Sequence, residues 1–221
     1  MKTIIIDMET TGLYPDEDDV WNIAWLIVEG DKVVKFRDRY YPIIRFGGDH
    51  WEFSIDYVEK DDLIYPRRYK ATKKHHWTED QELIEDVINA DIIVGHHVDF
   101  ELGFLELIIP GIRETKAQYC TMKMTTYVCK LQHRKYIYKW PKLEEAYYLL
   151  IKDKGLSGIE KYIDGYWHNA KYDVFAALRI YEYMTGARFD IPPWIWIQAG
   201  VGKGYIGELK NRMDMKLWKL K

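Results

Sequence analysis

The sequence predicts an α/β protein built on a mixed sheet, and three patterns point to that class. Residues 4–6 are three consecutive isoleucines, typical of a strand that is buried on both faces of a sheet. Two further apolar runs, 20–29 and 32–41, are parted by a Gly-Asp pair, which predicts a β-hairpin. Residues 78–95 then have the pattern of a helix followed by a short buried strand. Alternation of strand, helix and strand favours a sheet covered by helices.

The first strand carries two acids one residue apart, Asp7 and Glu9. Side chains alternate along a strand, so both carboxylates point to the same face. Like charges at the end of a buried strand repel each other and are costly to desolvate. A divalent cation relieves both costs, and carboxylate oxygens suit Mg²⁺ and Mn²⁺. A solvated strand end is the alternative interpretation, and the turn at 10–13, with Gly12 in it, favours the metal site.

The next part of the chain leaves this core and returns to it. Residues 44–74 have no clear period and are predicted to be an excursion from the sheet. Thr78 and Gln81 fit a capping box at the start of a helix. Apolar residues then recur at helical spacing: Leu83, Ile84, Val87 and Ile88. We expect this helix to end near Ala90 and to lead into a strand at 91–95.

Two helices and an aromatic segment follow. Core positions of the first helix have helical spacing: Leu143, Ala146, Tyr147 and Leu150. The second helix shows the same pattern at Val174, Leu178 and Tyr181. Residues 192–196, Pro-Pro-Trp-Ile-Trp, predict an extended segment that holds aromatic rings against the body. The last stretch, 201–221, carries six basic and two acidic residues.

Composition indicates the cellular compartment and the kind of partner, but not the chemistry of the site. The 221 residues carry a net charge of −3, so no global positive field indicates a nucleic-acid partner, although a carboxylate metal site uses negative charge locally. The two cysteines, Cys120 and Cys129, lack zinc-ligand spacing and are expected to be reduced thiols. No apolar run has the length of a membrane span. We therefore expect a cytoplasmic protein with no membrane partner.

Three motifs in order resemble those of the DEDDh (DnaQ-like) 3′–5′ exonucleases. This family includes the proofreading epsilon subunit of bacterial DNA polymerase III and ribonuclease T. Ile-Asp-Met-Glu-Thr-Thr-Gly-Leu at 6–13 resembles the first motif, and Gly-His-His-Val-Asp-Phe-Glu-Leu-Gly-Phe-Leu at 95–105 resembles the second. His168 and Asp173, with four residues between them, match the third. The resemblance implies a ribonuclease H-like mixed five-stranded sheet flanked by helices. It also implies an exonuclease domain over 1–189, followed by an aromatic and basic extension at 190–221.

The resemblance further implies the metal ligands. Asp7, Glu9 and Asp173 would hold two divalent cations, Mg²⁺ or Mn²⁺, in a phosphodiester hydrolase with a two-metal mechanism. Glu101 stands where the family has an aspartate and would assist them, with Asp99 as the alternative. Whichever of these two acids is not a ligand is interpreted as a solvated residue in the first helical turn. His168 would accept the proton of the attacking water.

The same resemblance implies where the substrate lies. Thr10 and Leu13 would lie against the terminal nucleotide, and Phe100 or Phe104 would line its pocket. The expected substrate is a single-stranded DNA 3′ end, in proofreading or repair, because the terminal base must be unpaired to enter such a cleft. A ribonuclease acting on short RNA or tRNA 3′ ends is one alternative. The other is a catalytically impaired nucleic-acid-binding or polymerase-associated module. A proofreading role would need a polymerase or other replication partner.

Overall fold

Five strands form one mixed sheet at the centre of the molecule. A computed structural model describes residues 1–43, 72–151 and 168–200. The strands are β1 (Lys2–Thr10), β2 (Val20–Glu29), β3 (Lys32–Tyr40), β4 (Ile92–Gly95) and β5 (Ala117–Cys120). Their order is β3-β2-β1-β4-β5. β2 is antiparallel to both β1 and β3, whereas β4 is parallel to both β1 and β5. The predicted five-stranded mixed sheet and its hairpin are confirmed.

Helices cover both faces of this sheet. Within the described residues they are α1 (Gln81–Asn89), α2 (Val98–Leu105), α3 (Ile112–Thr115), α4 (Thr121–Cys129), α5 (Leu143–Leu150), α6 (Ala170–Thr185) and α7 (Pro193–Gln198). None of the described helices is long and apolar enough to cross a membrane.

Alternation along β1 divides the buried side chains into two cores. Ile5 packs with α5, α6 and α7 on one face of the sheet. Ile4 and Ile6 pack with α1 and α2 on the other face. The odd-numbered positions of β1 therefore look toward α6. Asp7 and Glu9 continue that series, which directs both carboxylates to the face that α6 covers.

The predicted cap of α1 is wrong by two residues. Trp77–Glu79 form a 3₁₀ turn, and α1 begins only after Asp80. A carboxylate oxygen of Asp80 accepts a hydrogen bond from the Leu83 amide at 3.2 Å. Both oxygens of Asp80 also lie 2.5 Å from Nη1 of Arg39 on β3. The charged cap is therefore fixed by a tertiary ion pair, which the local sequence does not reveal.

The aromatic segment after α6 is helical, so the prediction of an extended segment is wrong. Pro193 occupies the first turn of α7, where its fixed φ angle and missing N–H are well tolerated. Trp196 stacks on Phe175 of α6, with ring centroids 4.8 Å apart and planes 25° apart. Ile195 beside it is fully buried. The segment does hold aromatic side chains against the body, as expected, but as one face of a helix.

Two predicted regions lie outside the described residues. These are most of the 44–74 excursion and the basic end of the 190–221 extension. The described end of the excursion joins the sheet, because the amides of Thr72 and Lys73 donate to the Tyr40 carbonyl at 2.8 and 3.1 Å. The domain boundaries stay predictions.

Candidate metal-dependent active site

Three acids from two distant parts of the chain meet beside the central strand. Asp7 and Glu9 come from β1, and Asp173 comes from the first turn of α6. One carboxylate oxygen from each acid lies within 4.8 Å of the others. Asp173 is buried, and the two β1 acids are half-buried. The structure therefore brings together three of the predicted metal ligands, on the face expected from the strand alternation.

The start of α6 fixes the position of Asp173. Asn169 caps the helix, with its side-chain oxygen accepting from the Lys171 amide at 3.1 Å. The Asp173 amide in turn donates to the Asn169 carbonyl at 3.0 Å. The Asp173 carboxylate accepts hydrogen bonds from the backbone N–H groups of His168 and Asn169. The residues that begin the helix thus also orient the acid.

Burial raises the pKa values of Asp7 and Asp173, and charge repulsion adds to the rise at Asp173. Burial raises the pKa of Asp7 from 3.8 to about 7. The pKa of Asp173 is raised well above its usual range, first by burial and then by the charges of Asp7 and Glu9. The hydrogen bonds from the backbone N–H groups oppose this rise without cancelling it. Without a cation, this cluster is unfavourable in its fully charged form.

The residues fit a hard divalent cation. Among the described residues, Asp173 Oδ1 and Glu101 Oε2 are buried and have no hydrogen-bond partner. Unsatisfied carboxylate oxygens are costly in a protein interior, and Mg²⁺ or Mn²⁺ binds such oxygens and offsets their repulsion. The site thus has both the ligand type and the unmet charge that a cation would satisfy.

Of the two candidate acids on α2, Glu101 lies beside Asp7 and Asp99 does not. Glu101 is 3% exposed. Its pKa is raised well above the usual range, first by burial and then by the Asp7 charge. It lies outside the group of three acids whose oxygens converge. Asp99 has a side chain 41% exposed, forms an ion pair with Lys123 and lies 3.7 Å from Nη1 of Arg113. Residues two apart on a helix are about 200° apart around its axis, so only one of the two acids can face the site.

A glycine at the end of β4 allows Glu101 its position. A Cβ atom added at Gly95 would lie 3.1 Å from Glu101 Oε2 and 3.3 Å from the Val98 Cα. Both distances are tighter than ordinary van der Waals contacts. Gly95 thus permits the close approach of strand and helix that seats the Glu101 carboxylate.

His168 lies immediately before the cap of α6, on the lead-in that the motif spacing predicts. Its backbone is left-handed, with φ of 63°, and its side chain is exposed. The backbone N–H of His168 contacts Asp173, whereas its imidazole points into solvent-accessible space. The role of His168 as a base stays a prediction.

A loop after β1, residues 11–19, shapes the turn at 10–13 and was not predicted to do so. The Asp18 carboxylate fills the space above Gly12, where a Cβ would clash with its oxygens, and accepts from the Tyr14 amide at 2.9 Å. The neighbouring Asp19 is buried and lies 2.6 Å from His76 Nε2. Leu13 is 72% exposed at the tip. Asp18 and Asp19 belong to a run of four acids at 16–19, and nothing in the sequence distinguishes these two structural residues from solvated ones.

The predicted substrate-binding residues fall into two groups. Thr10 at the end of β1 donates to the Gly12 carbonyl at 2.5 Å, and the exposed Leu13 follows. Phe100 is half-buried. Phe104 is fully buried, with its ring centroid 5.2 Å from that of Phe100. The structure thus contradicts direct lining of a pocket by Phe104, because its ring supports Phe100 from beneath.

The fold and the acidic cluster together define a class. It is a ribonuclease H-like α/β protein with a carboxylate site beside the central strand. Solved structures with this fold include the zinc-bound complex of E. coli exonuclease I with single-stranded DNA. The chain matches that structure with a TM-score of 0.56 and 15% identity, over 84% of this chain and 40% of the other. E. coli exonuclease I with a dA16 oligonucleotide matches with a TM-score of 0.55 and 14% identity, over 94% of this chain and 45% of the other. These likenesses show a shared fold.

Sequence comparison gives a shorter match. The chain is 32% identical over 104 residues to a PolC-type DNA polymerase III of Pediococcus pentosaceus, which is 47% of this chain and 7% of the polymerase. No family model matches the sequence. The chain therefore spans a small part of the polymerase and less than half of the exonuclease I structures it resembles.

Proposed function

We propose that this protein is a metal-dependent 3′–5′ exonuclease that removes nucleotides from single-stranded DNA ends. The observation that carries the proposal is the convergence of Asp7, Glu9 and Asp173 on a sheet that exonuclease I shares. Exonuclease I is described in complexes with single-stranded DNA, which supports the choice of substrate class. The weaker match to a PolC-type polymerase supports a link to replication.

The acids would hold the metal and the flanking residues would act on the substrate. Asp7, Glu9 and Asp173 would be direct ligands, and Glu101 would assist on the Asp7 side. Bound divalent cations supply charge neutralisation at the phosphate and lower the pKa of water. His168 would accept the proton from the attacking water, because it is exposed and directly precedes the cap of the helix that carries Asp173. Leu13, at the exposed tip of the turn, would contact the terminal nucleotide.

A labelled-strand assay tests the proposal directly. A 5′-labelled oligodeoxythymidylate should be shortened stepwise from its 3′ end with Mg²⁺ or Mn²⁺ present and should stay intact with a chelator. Asp173→Asn should abolish the ladder, because it removes one ligand and leaves the helix cap in place. Asp31→Asn, in the exposed hairpin turn between β2 and β3, is the matched control and should leave activity unchanged. Equal hydrolysis by the Asp173 variant and the wild type would contradict the proposal.

The same assay separates the competing substrates and roles. An RNA strand of matched sequence, run beside the DNA, distinguishes a ribonuclease from a deoxyribonuclease, because the 2′-OH is the chemical difference. Binding of both strands without any hydrolysis would instead favour a nucleic-acid-binding module. We further propose Mg²⁺ or Mn²⁺ as the physiological metal, since hard oxygen ligands predominate at the site. Adding a replicative polymerase tests for a proofreading partner.

A further inference from the structure

One stretch of the chain has a charge composition unlike the rest. Residues 115–143 contain seven basic residues and no aspartate or glutamate, in a protein whose net charge is −3. The stretch runs from β5 through α4 to the start of α5. The proposed exonuclease site does not use it. Lys123, Lys139 and Lys142 pair with acids from outside the stretch. Among the described residues, Lys130, Arg134 and Lys135 form no ion pair and supply its unpaired positive charge.

Large aromatic side chains are exposed on the same stretch. Tyr127, Tyr136 and Trp140 are 68%, 70% and 59% exposed. Three exposed basic residues lie between Tyr127 and Tyr136 in the sequence, namely Lys130, Arg134 and Lys135. Grouped exposed apolar side chains mark binding surfaces more often than scattered ones do, and neighbouring positive charges favour a negatively charged partner. We call the surface formed by these six residues the aromatic-basic surface.

The loop that carries these rings is folded onto itself. The Lys139 amide donates to the Leu131 carbonyl at 2.9 Å, which closes the loop. The amides of Lys135 and Tyr136 both donate to His133 Nδ1 at 3.1 Å. The His133 ring stacks against Tyr136, with centroids 4.9 Å apart. These interactions use backbone polar groups of the loop and leave Tyr136 and Trp140 exposed.

A line of rings connects this surface with the acidic site. The ring centroid of Trp140 lies 6.3 Å from that of His97, which in turn lies 6.2 Å from that of Phe100. The His97 and Phe100 planes are 16° apart, so the two rings are nearly parallel. Phe100 directly precedes Glu101, the acid beside Asp7. Ring contacts thus link Trp140, at one end of the aromatic-basic surface, to α2, the helix that carries Glu101.

We propose that the aromatic-basic surface binds the part of a DNA strand that lies upstream of the 3′ end held at the acids. Bases stack on aromatic faces whatever their sequence, and lysine and arginine neutralise phosphates. A surface that carries both exposed rings and positive charges fits such a strand. This inference rests on the proposed exonuclease function and extends it to substrate length and processivity.

Hydrolysis of two substrate lengths tests the surface. An oligodeoxythymidylate of about 3 nucleotides would fill the acidic site alone, whereas one of about 12 nucleotides would also reach the surface. Trp140→Ala and Tyr136→Ala should each raise KM for the long strand about 5- to 10-fold and leave kcat/KM for the short strand unchanged. Arg134→Gln combined with Lys135→Gln should weaken the salt dependence of long-strand binding, by a slope of about 0.7 for each phosphate that the variant no longer neutralises.

Matched controls lie on other parts of the molecule. Trp194→Ala removes a partly exposed tryptophan from α7, and Lys32→Gln removes an exposed lysine from the start of β3. Both variants should hydrolyse the short and the long strand with the same KM and kcat/KM as the wild type. Equal KM values of the wild type and the Trp140 and Tyr136 variants on the long strand would overturn the inference while leaving the exonuclease proposal intact.

Binding measurements keep the two proposals distinguishable. If the wild type hydrolyses neither strand, the exonuclease proposal fails. Fluorescence anisotropy with the labelled long strand then tests the surface alone. Weaker binding by the Trp140 and Tyr136 variants than by the Trp194 control would support the surface. Equal binding by all three variants, or capture of the surface by a protein partner in competition with DNA, would refute it.

Discussion

Replacing Asp7 by asparagine should stabilise the metal-free protein at neutral and alkaline pH. Burial raises the pKa of this carboxyl from 3.8 to about 7, so the folded protein holds a proton that the unfolded chain has already released. The stability linked to Asp7 is therefore fully present below about pH 4 and is lost as the pH rises to about 7. Asparagine cannot ionise, so the variant should not lose stability at this position as the pH rises.

The size of the effect follows from the same shift. At about 1.4 kcal/mol per pH unit, a rise from 3.8 to about 7 sets a ceiling of about 4 kcal/mol. Because Asp7 is only half-buried, solvent screening reduces this free energy. We expect Asp7→Asn to exceed the wild type by about 1–2 kcal/mol in the free energy of unfolding near pH 8. The two proteins should be equally stable near pH 3, apart from the small cost of the amide.

Urea unfolding with a chelator present, at pH values from about 3 to 9, measures this difference. Asp31→Asn in the hairpin turn controls for the loss of one negative charge. Added Mg²⁺ or Mn²⁺ should reverse the order at neutral pH, because the wild type gains binding free energy that the variant lacks. The reasoning is refuted if the metal-free wild type and Asp7→Asn show the same pH dependence, or if the variant is the less stable protein near pH 8.

Three further predictions concern the residues around the acids. His168→Ala should lower kcat by about 10²- to 10⁴-fold with little change in DNA affinity, and an unaltered pH–rate profile would exclude its role as the base. Glu101→Gln should lower activity by about 10- to 100-fold, because Glu101 is buried beside Asp7. Asp99→Asn should change activity little, because Asp99 is exposed and paired with Lys123. The reverse order in parallel assays would show that Asp99 is the functional acid. Gly95→Ala should cost about 1–3 kcal/mol of stability and weaken activity, because its Cβ would crowd Glu101 and the α2 backbone; unchanged thermal unfolding and activity would show that this approach has room to spare.

Local patterns were sufficient for the elements that carry the site. The isoleucine run of β1, its alternation and the hairpin signal predicted a buried strand with Asp7 and Glu9 on one face, and the structure has that arrangement. The apolar spacing at 174–181 likewise predicted α6 and its buried side. These features follow from periods of two and 3.6 residues, which the sequence displays directly.

Other features depended on how the elements dock. The resemblance favoured Glu101 and left Asp99 as the alternative, and only the rotation of α2 about its axis turns Glu101 toward Asp7. Phe104 was expected at a pocket, but the packing of α2 on the sheet buries it completely. The cap of α1 is Asp80 rather than Thr78, because Asp80 pairs with Arg39, which is 41 residues away in the sequence.

The sequence by itself therefore determined which residues form strands and helices and which acids share a strand face. The tertiary structure decided which side chains from separate elements meet, because that depends on helix orientation and long-range ion pairs. Such contacts leave no periodic trace in the chain.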